Sequence, residues 1–425
     1  MSHGQYDPFF EREQPYGSYE ELRAEVMALP AITDDGERTA ALNALWSNLV
    51  SSNQVPYVFD DRVAFLYRGV ASSVSWAGDF SGWRPVAGEN VPGTDLWVLE
   101  RTFHADSRLD YKVIRNGAWV LDPINPLTMW SGFGPNSELR MDGYEFPMET
   151  VRRPEVPRGT VTGNARVETP HLPYDVNVRV YTPAGYAEEG LKDLPVVYVT
   201  DGHEYLDERL GGMVTVLDNL IADEVLRPVI AVFVDPRDPQ TGQNRRAEQY
   251  IDNGNFVAFL AEDLVPLIDR NFRTDASATA RTIMGTSLGG LNAAYTTALR
   301  PDVFGNAGVQ SPAFWTFTEI YGWYQTLDLQ DQVRISMTGG AEYDGTGGAT
   351  MDVILGANGY DYSYLEVNEG HSWGQWRGLL DTILVDLVGP PAEIPEPGTL
   401  TVMAGAAALL KRPVSAGRKG RSDSE

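Results

Sequence analysis

The feature that most narrows the fold is a series of short, unbroken apolar runs in the second half of the chain. LPVVYVT (194–200) and RPVIAVFVD (227–235) are continuous stretches rich in β-branched residues. A strand wetted on one face alternates apolar with polar residues, whereas an unbroken run belongs to a strand covered on both faces. ARTIMG (280–285), GNAGVQS (305–311), VRISMT (333–338) and YSYLEV (362–367) continue the series. Helical stretches at about 211–225 and 255–269 lie between them. Such alternation predicts a mostly parallel α/β sheet with right-handed crossovers. Val176, Val178 and Val180 alternate ahead of it and predict an edge-type strand.

The first half has a different grammar. Leu22, Val26 and Leu29 fall on one helical face, and Leu42, Leu45, Trp46 and Leu49 on another. Residues 1–55 are expected to be a helical lead-in without a core of their own. VAFLYR (63–68), SVSWAG (73–78), LWVLERTF (96–103) and LDYKVIRN (109–116) read as strands, separated by Gly and Pro. Residues 56–150 are therefore expected to form a small all-β sandwich. A Pro- and Arg-rich linker spans 151–170, the α/β domain 171–390, and a tail 391–425. Two or more domains fit a chain of 425 residues.

One motif carries chemistry. Gly285-Thr286-Ser287-Leu288-Gly289 follows a buried strand and precedes the Ala-rich stretch LNAAYTTAL. A strand-to-helix turn this tight excludes bulk beside the serine and lifts its hydroxyl clear of the carboxyl end of the sheet. Ser287 is the expected nucleophile. A hydroxyl needs a base, because it is barely ionised near neutral pH. The chain has five histidines, and only His371 follows Ser287. In the serine–acid–histidine order of α/β-hydrolases, His371 is the expected base. The acid should follow strand 333–338, where Glu342 and Asp344 both qualify; Glu342 is preferred. The oxyanion donors should be the backbone N–H of Leu288 and that of Gly202 or His203, in the loop after strand 194–200.

Composition removes other chemistries. There is no cysteine, so thiolate nucleophiles, disulfides and thiolate metal sites are excluded. No two histidines are spaced like a zinc-binding helix, and no metal site is expected. Acidic residues outnumber basic ones 59 to 33, a net charge of −26, which disfavours nucleic acid and anionic lipid as partners.

VVYVTDGHEY, NRRAEQY, FLAEDLVPLIDRNF, GTSLGG, QSPAFW and EGHSWGQWR, taken in this order, resemble the enterochelin-esterase and esterase-D-like branch of α/β-hydrolases. GDFSGW, LWVLERTF, LDYKV and DPINP resemble the immunoglobulin-like, glycogen-binding-module-like (E-set) domain that precedes it in enterochelin esterases. The resemblance implies a serine carboxylic-ester hydrolase with an acyl-enzyme step and no cofactor. It implies a small-molecule or carbohydrate ester as substrate, either a siderophore lactone or a feruloyl or acetyl ester of polysaccharide. Arg245 and Trp373 are expected to contact substrate, and Trp83, Trp97 and Trp119 could stack on sugar rings. The alternative is a non-catalytic carbohydrate-binding envelope protein using the same fold as a scaffold.

The two ends carry opposed targeting signals. The first residues lack a basic cluster followed by an apolar run, which points to the cytoplasm. Pro395-Glu396-Pro397, the apolar stretch Leu400 to Leu410 and the basic residues after it resemble a PEP-CTERM sorting tail. A working tail would place the protein at the cell envelope and supply its membrane attachment.

Overall fold

The computed structural model describes residues 7–188, 190–345 and 347–391. The PEP-CTERM-like tail lies outside the described residues. Among those described, no helix is long and apolar enough to cross a membrane.

Helices Tyr19–Ala28 and Asp35–Ser51 start at capped ends: Ser18 Oγ accepts the Glu21 N–H and Asp34 Oδ1 the Glu37 N–H. Leu22, Val26, Leu42, Leu45 and Leu49 bury themselves against Tyr57, Ala64, Leu66 and Leu96. The lead-in therefore shares a core with the β unit that follows it. The first sheet runs in the order Tyr57–Phe59, Arg62–Arg68, Leu96–Thr102, Glu89–Asn90, all antiparallel. The second sheet runs Val86–Ala87, Val74–Gly78, Arg108–Arg115, Gly134–Arg140, Thr128–Ser131. Phe65, Trp76, Tyr111 and Leu139 fill the space between the two sheets. Strand Arg62–Arg68 is buried on both faces: Ala64 and Leu66 face the helices, while Val63, Phe65 and Tyr67 face the second sheet.

The large sheet orders its main strands Val176–Thr182, Ile230–Asp235, Val196–Val199, Arg281–Thr286, Asn306–Gln310, Arg334–Gly340, Asp361–Val367. Val176–Thr182 pairs antiparallel with Ile230–Asp235, and every later pairing is parallel. From Val196–Val199 the chain moves outward to Ile230–Asp235. It then returns on the other side with Arg281–Thr286. The order reverses between Val196–Val199 and Arg281–Thr286, a crevice where open α/β sheets bind ligands beyond the carboxyl ends of their strands. One apolar core packs Phe256, Leu260 and Leu291 on one face of this sheet, and a second packs Met213, Leu217 and Ile383 on the other.

Candidate active site

Ser287 sits between strand Arg281–Thr286 and helix Leu288–Leu299, with φ 58° and ψ −116°. This conformation costs an L-residue on the order of 1–3 kcal/mol and must be imposed by its surroundings. The surroundings do so on every side. The Ser287 N–H donates to Gln310 O (2.9 Å), and Ser287 O accepts from Leu291 N–H (3.1 Å) and Ala313 N–H (2.9 Å). A Cβ on Gly285 or Gly289 would lie 2.0 or 2.4 Å from Thr200 Oγ1. Glycine is thus required where the turn closes on the neighbouring strand end.

His371 follows strand Asp361–Val367, and its Nδ1 lies 2.5 Å from Asp344 Oδ1. The Asp344 side chain is 2 % exposed, and its Oδ2 accepts the Gly340 N–H. The edge of the Trp376 ring meets the His371 ring at 90°, centroids 4.9 Å apart. The structure therefore pairs the histidine with Asp344 and not with the preferred Glu342. Tyr343 takes φ 55°, and after this turn Asp344 points back at the strand end. The Glu342 N–H donates to Glu369 O. Burial raises the Glu342 carboxyl above its ordinary range, with His104 opposing.

Across the crevice, Asp201 takes φ 52° and starts the short helix Gly202–Leu206. A Cβ on Gly202 would lie 2.5 Å from the Phe233 carbonyl carbon, so only glycine fits there. Gly202, His203 and Leu288 each occupy a first helical turn, whose amides have no intrahelical acceptor. The His203 ring lies between Asp235 (3.6 Å) and Glu204 (3.9 Å). Burial pulls its pKa down, and Asp235 only partly opposes this.

Two expected substrate contacts are engaged elsewhere. Arg245 is bound to Asp238 (2.9 Å) and Glu248 (3.0 Å) and lies over the Tyr174 ring. Trp373 is corrected from a pocket residue to a core residue. It is 2 % exposed and packs edge-on against Tyr205 and Trp376, because this face of helix Trp373–Gly378 turns into the second core. Among the tryptophans of the β unit, Trp83 donates to Asp79 Oδ1 (3.1 Å), Trp97 packs on the core and Trp119 is exposed. The residue underrated from sequence is Arg246. Its Nε donates to both Asp201 oxygens (3.0 and 2.8 Å) and its Nη2 to Thr286 O (3.0 Å), tying the two loops of the crevice together. Its signal was the RR pair in NRRAEQY, but sequence cannot say which of two adjacent arginines turns inward.

The esterase family model ("Putative esterase") matches residues 169–387. The chain is 29 % identical over 224 residues to an endo-1,4-beta-xylanase/feruloyl esterase of Xylanibacter ruminicola, covering 49 % of this chain and 28 % of that one. It is 23 % identical to the iron(III) enterobactin esterase of Escherichia coli K12, covering 72 % of this chain and 83 % of the relative. The crystal structure of the Shigella flexneri enterobactin esterase superposes with a TM-score of 0.63 at 21 % identity, covering 77 % and 92 %. This likeness supports an α/β-hydrolase-type fold. The chain thus belongs to the esterase family and is a carboxylic ester hydrolase.

Proposed function

We propose that the protein hydrolyses esters through Ser287, His371 and Asp344 by way of an acyl-enzyme. The observation that carries this reading is the pairing of a buried Asp344 with His371, at the same end of the sheet as a Ser287 held in a strained turn. Asp344 orients the imidazole, whose other nitrogen takes the proton from the Ser287 hydroxyl as Oγ attacks the ester carbonyl. The amides of Leu288 and of Gly202 or His203 face the oxygen that becomes negative. The protonated histidine then passes its proton to the departing alcohol. Water, activated by the same base, releases the acid and restores Ser287.

For the acyl group, the arginines favour an uncharged aromatic ester over an anionic ferric siderophore. Arg209, Arg237, Arg245 and Arg246 each already hold a carboxylate: Asp207, Asp235, Asp238 and Asp201. Trp315 and Tyr343 are exposed beside the loops that carry Ala313 and Asp344, where an aromatic acid can pack. A feruloyl esterase activity is part of the name of the Xylanibacter relative, and this chain is proposed to share that substrate class.

The test compares wild type with Ser287→Ala on methyl ferulate, a feruloylated oligosaccharide and a triscatecholate lactone. Turnover of the feruloyl esters, lost in Ser287→Ala, is expected. Unchanged turnover in Ser287→Ala refutes the serine mechanism, and preference for the lactone refutes the substrate assignment.

A further inference from the structure

The β unit reaches into the loop that carries His371. Arg108 belongs to the second sheet of that unit and is completely buried. On its own side, its Nε donates to Glu138 Oε1 (2.9 Å) and its Nη2 to Asp110 Oδ1 (2.7 Å). Toward the α/β domain, its Nη1 donates to Ser372 Oγ (3.0 Å) and lies 3.9 Å from Glu369 Oε2. Its backbone N–H donates to Asn368 O (3.2 Å), and the Asn368 side chain donates to Asp106 (2.7 Å). The loop is gripped on both sides of the histidine. A Cβ on Gly370 would lie 2.0 Å from the Asp79 carboxyl carbon, and one on Gly374 2.0 Å from the Arg108 guanidinium carbon.

Ser372 adds a chemical detail. It is the N-cap residue of helix Trp373–Gly378, where a serine oxygen ordinarily accepts an amide from the first turn. Here its side chain makes no cap bond and accepts from Arg108 instead. The guanidinium is fixed before it meets the loop. Glu138 is shared with Arg140 (2.8 Å), and Asp110 accepts from Asn136 (3.1 Å). Burial works to raise the Glu138 carboxyl, but Arg140 and Arg108 hold it at about 2, so it stays charged.

We infer that Arg108 is a positioning residue for the reaction: through Ser372 and the loop 368–374 it sets the imidazole of His371 against Ser287, making the β unit part of the active-site architecture. This rests on the serine–histidine reading above. The Arg108 side-chain bonds go to Glu138, Asp110 and Ser372, not to Ser287, His371 or Asp344. The residue acts by fixing the loop, and a base displaced by about 1 Å can cost on the order of 100-fold in rate.

The experiment is a double-mutant cycle of Ser372→Ala and Arg108→Lys in the full chain, on an activated ester, with Ser287→Ala alongside. Lysine keeps the charge but cannot span Ser372, Asp110 and Glu138 at once. Each single variant is expected to lose about tenfold in kcat with KM within about twofold, and the double variant little more than either one. Should Arg108→Lys fail to fold, Ser372→Ala carries the test by its kcat alone. A loss borne by KM, additive losses, or wild-type kcat in Ser372→Ala overturns the inference while an inactive Ser287→Ala upholds the serine mechanism. An active Ser287→Ala overturns both.

Discussion

Replacing Asp344 by asparagine leaves the shape of the acid loop almost unchanged and removes one charge. In the proposed mechanism His371 takes the serine proton, and the imidazolium then faces a buried carboxylate across a 2.5 Å contact. With charge centres ~4 Å apart and an effective dielectric of ~20, that attraction is about 4 kcal/mol. At 1.36 kcal/mol per decade of rate, this corresponds to about three decades. The asparagine amide can also donate to Nδ1 and select the wrong tautomer, a substitution that costs about 10⁴-fold in serine proteases. Asp344→Asn is therefore expected to lower kcat by about 10³- to 10⁴-fold, with KM little changed. Glu342→Gln, two residues away and bonded through its backbone to Glu369, should stay within about threefold of wild type. Steady-state hydrolysis of a p-nitrophenyl ester measures both, with thermal melting to verify folding. An Asp344→Asn enzyme within tenfold of wild type, or a Glu342→Gln enzyme as impaired as Asp344→Asn, would refute the reasoning.

Further outcomes follow from other contacts. Arg246→Lys should lower kcat by about tenfold or more, because an ammonium cannot hold the Asp201 carboxylate and Thr286 O together; unchanged kinetics would deny the clamp its role. Trp373→Ala should destabilise the fold by about 3–5 kcal/mol in chemical denaturation, as expected for a large buried aromatic; a change below about 1 kcal/mol would place Trp373 outside the core. Burial raises the Asp122 carboxyl to about 6, so between about pH 4 and 6 the folded state binds more protons than the unfolded chain, and stability falls as pH rises through that window. The loss amounts to about 3 kcal/mol. Burial also raises Asp79, Asp110 and Glu342, so Asp122→Asn should lessen that slope in melts at pH 4.5 and 7 without abolishing it; an unaltered slope would assign it to those other groups.

The sheet was legible because burial on both faces leaves unbroken apolar runs, and 194–200, 227–235 and 280–285 all match observed strands. The turn that carries Ser287 was legible because strand, glycine-flanked turn and Ala-rich helix are contiguous. His371 could be singled out because it is the lone histidine after Ser287. Which carboxylate faces His371 was a different problem. Choosing between Glu342 and Asp344 depends on one left-handed residue, Tyr343, which composition does not announce. Trp373 misled because an aromatic residue near a candidate base suggests a pocket wall, while its helix face was set by a core built from distant segments. The helical lead-in showed its apolar stripes, but not what they cover. The matching clue was VAFLYR, whose unbroken pattern already implied a layer on each side of that strand.

The bond between Arg108 and Ser372 joins residues 264 positions apart. Closing so distant a contact is slow and comes late, since the chain must first lose the entropy of the intervening loop. During synthesis the β unit emerges first and can fold while the α/β domain is still incomplete. The last strand and the histidine loop emerge afterwards and would settle on that unit. On the inferred role of Arg108, catalytic competence becomes a late event in maturation: a chain with its large sheet assembled but its β unit undocked would carry a well-formed serine turn and an unfixed base. Such a species would be protected from cleaving esters prematurely, and the recovery of activity on refolding would lag behind the recovery of secondary structure.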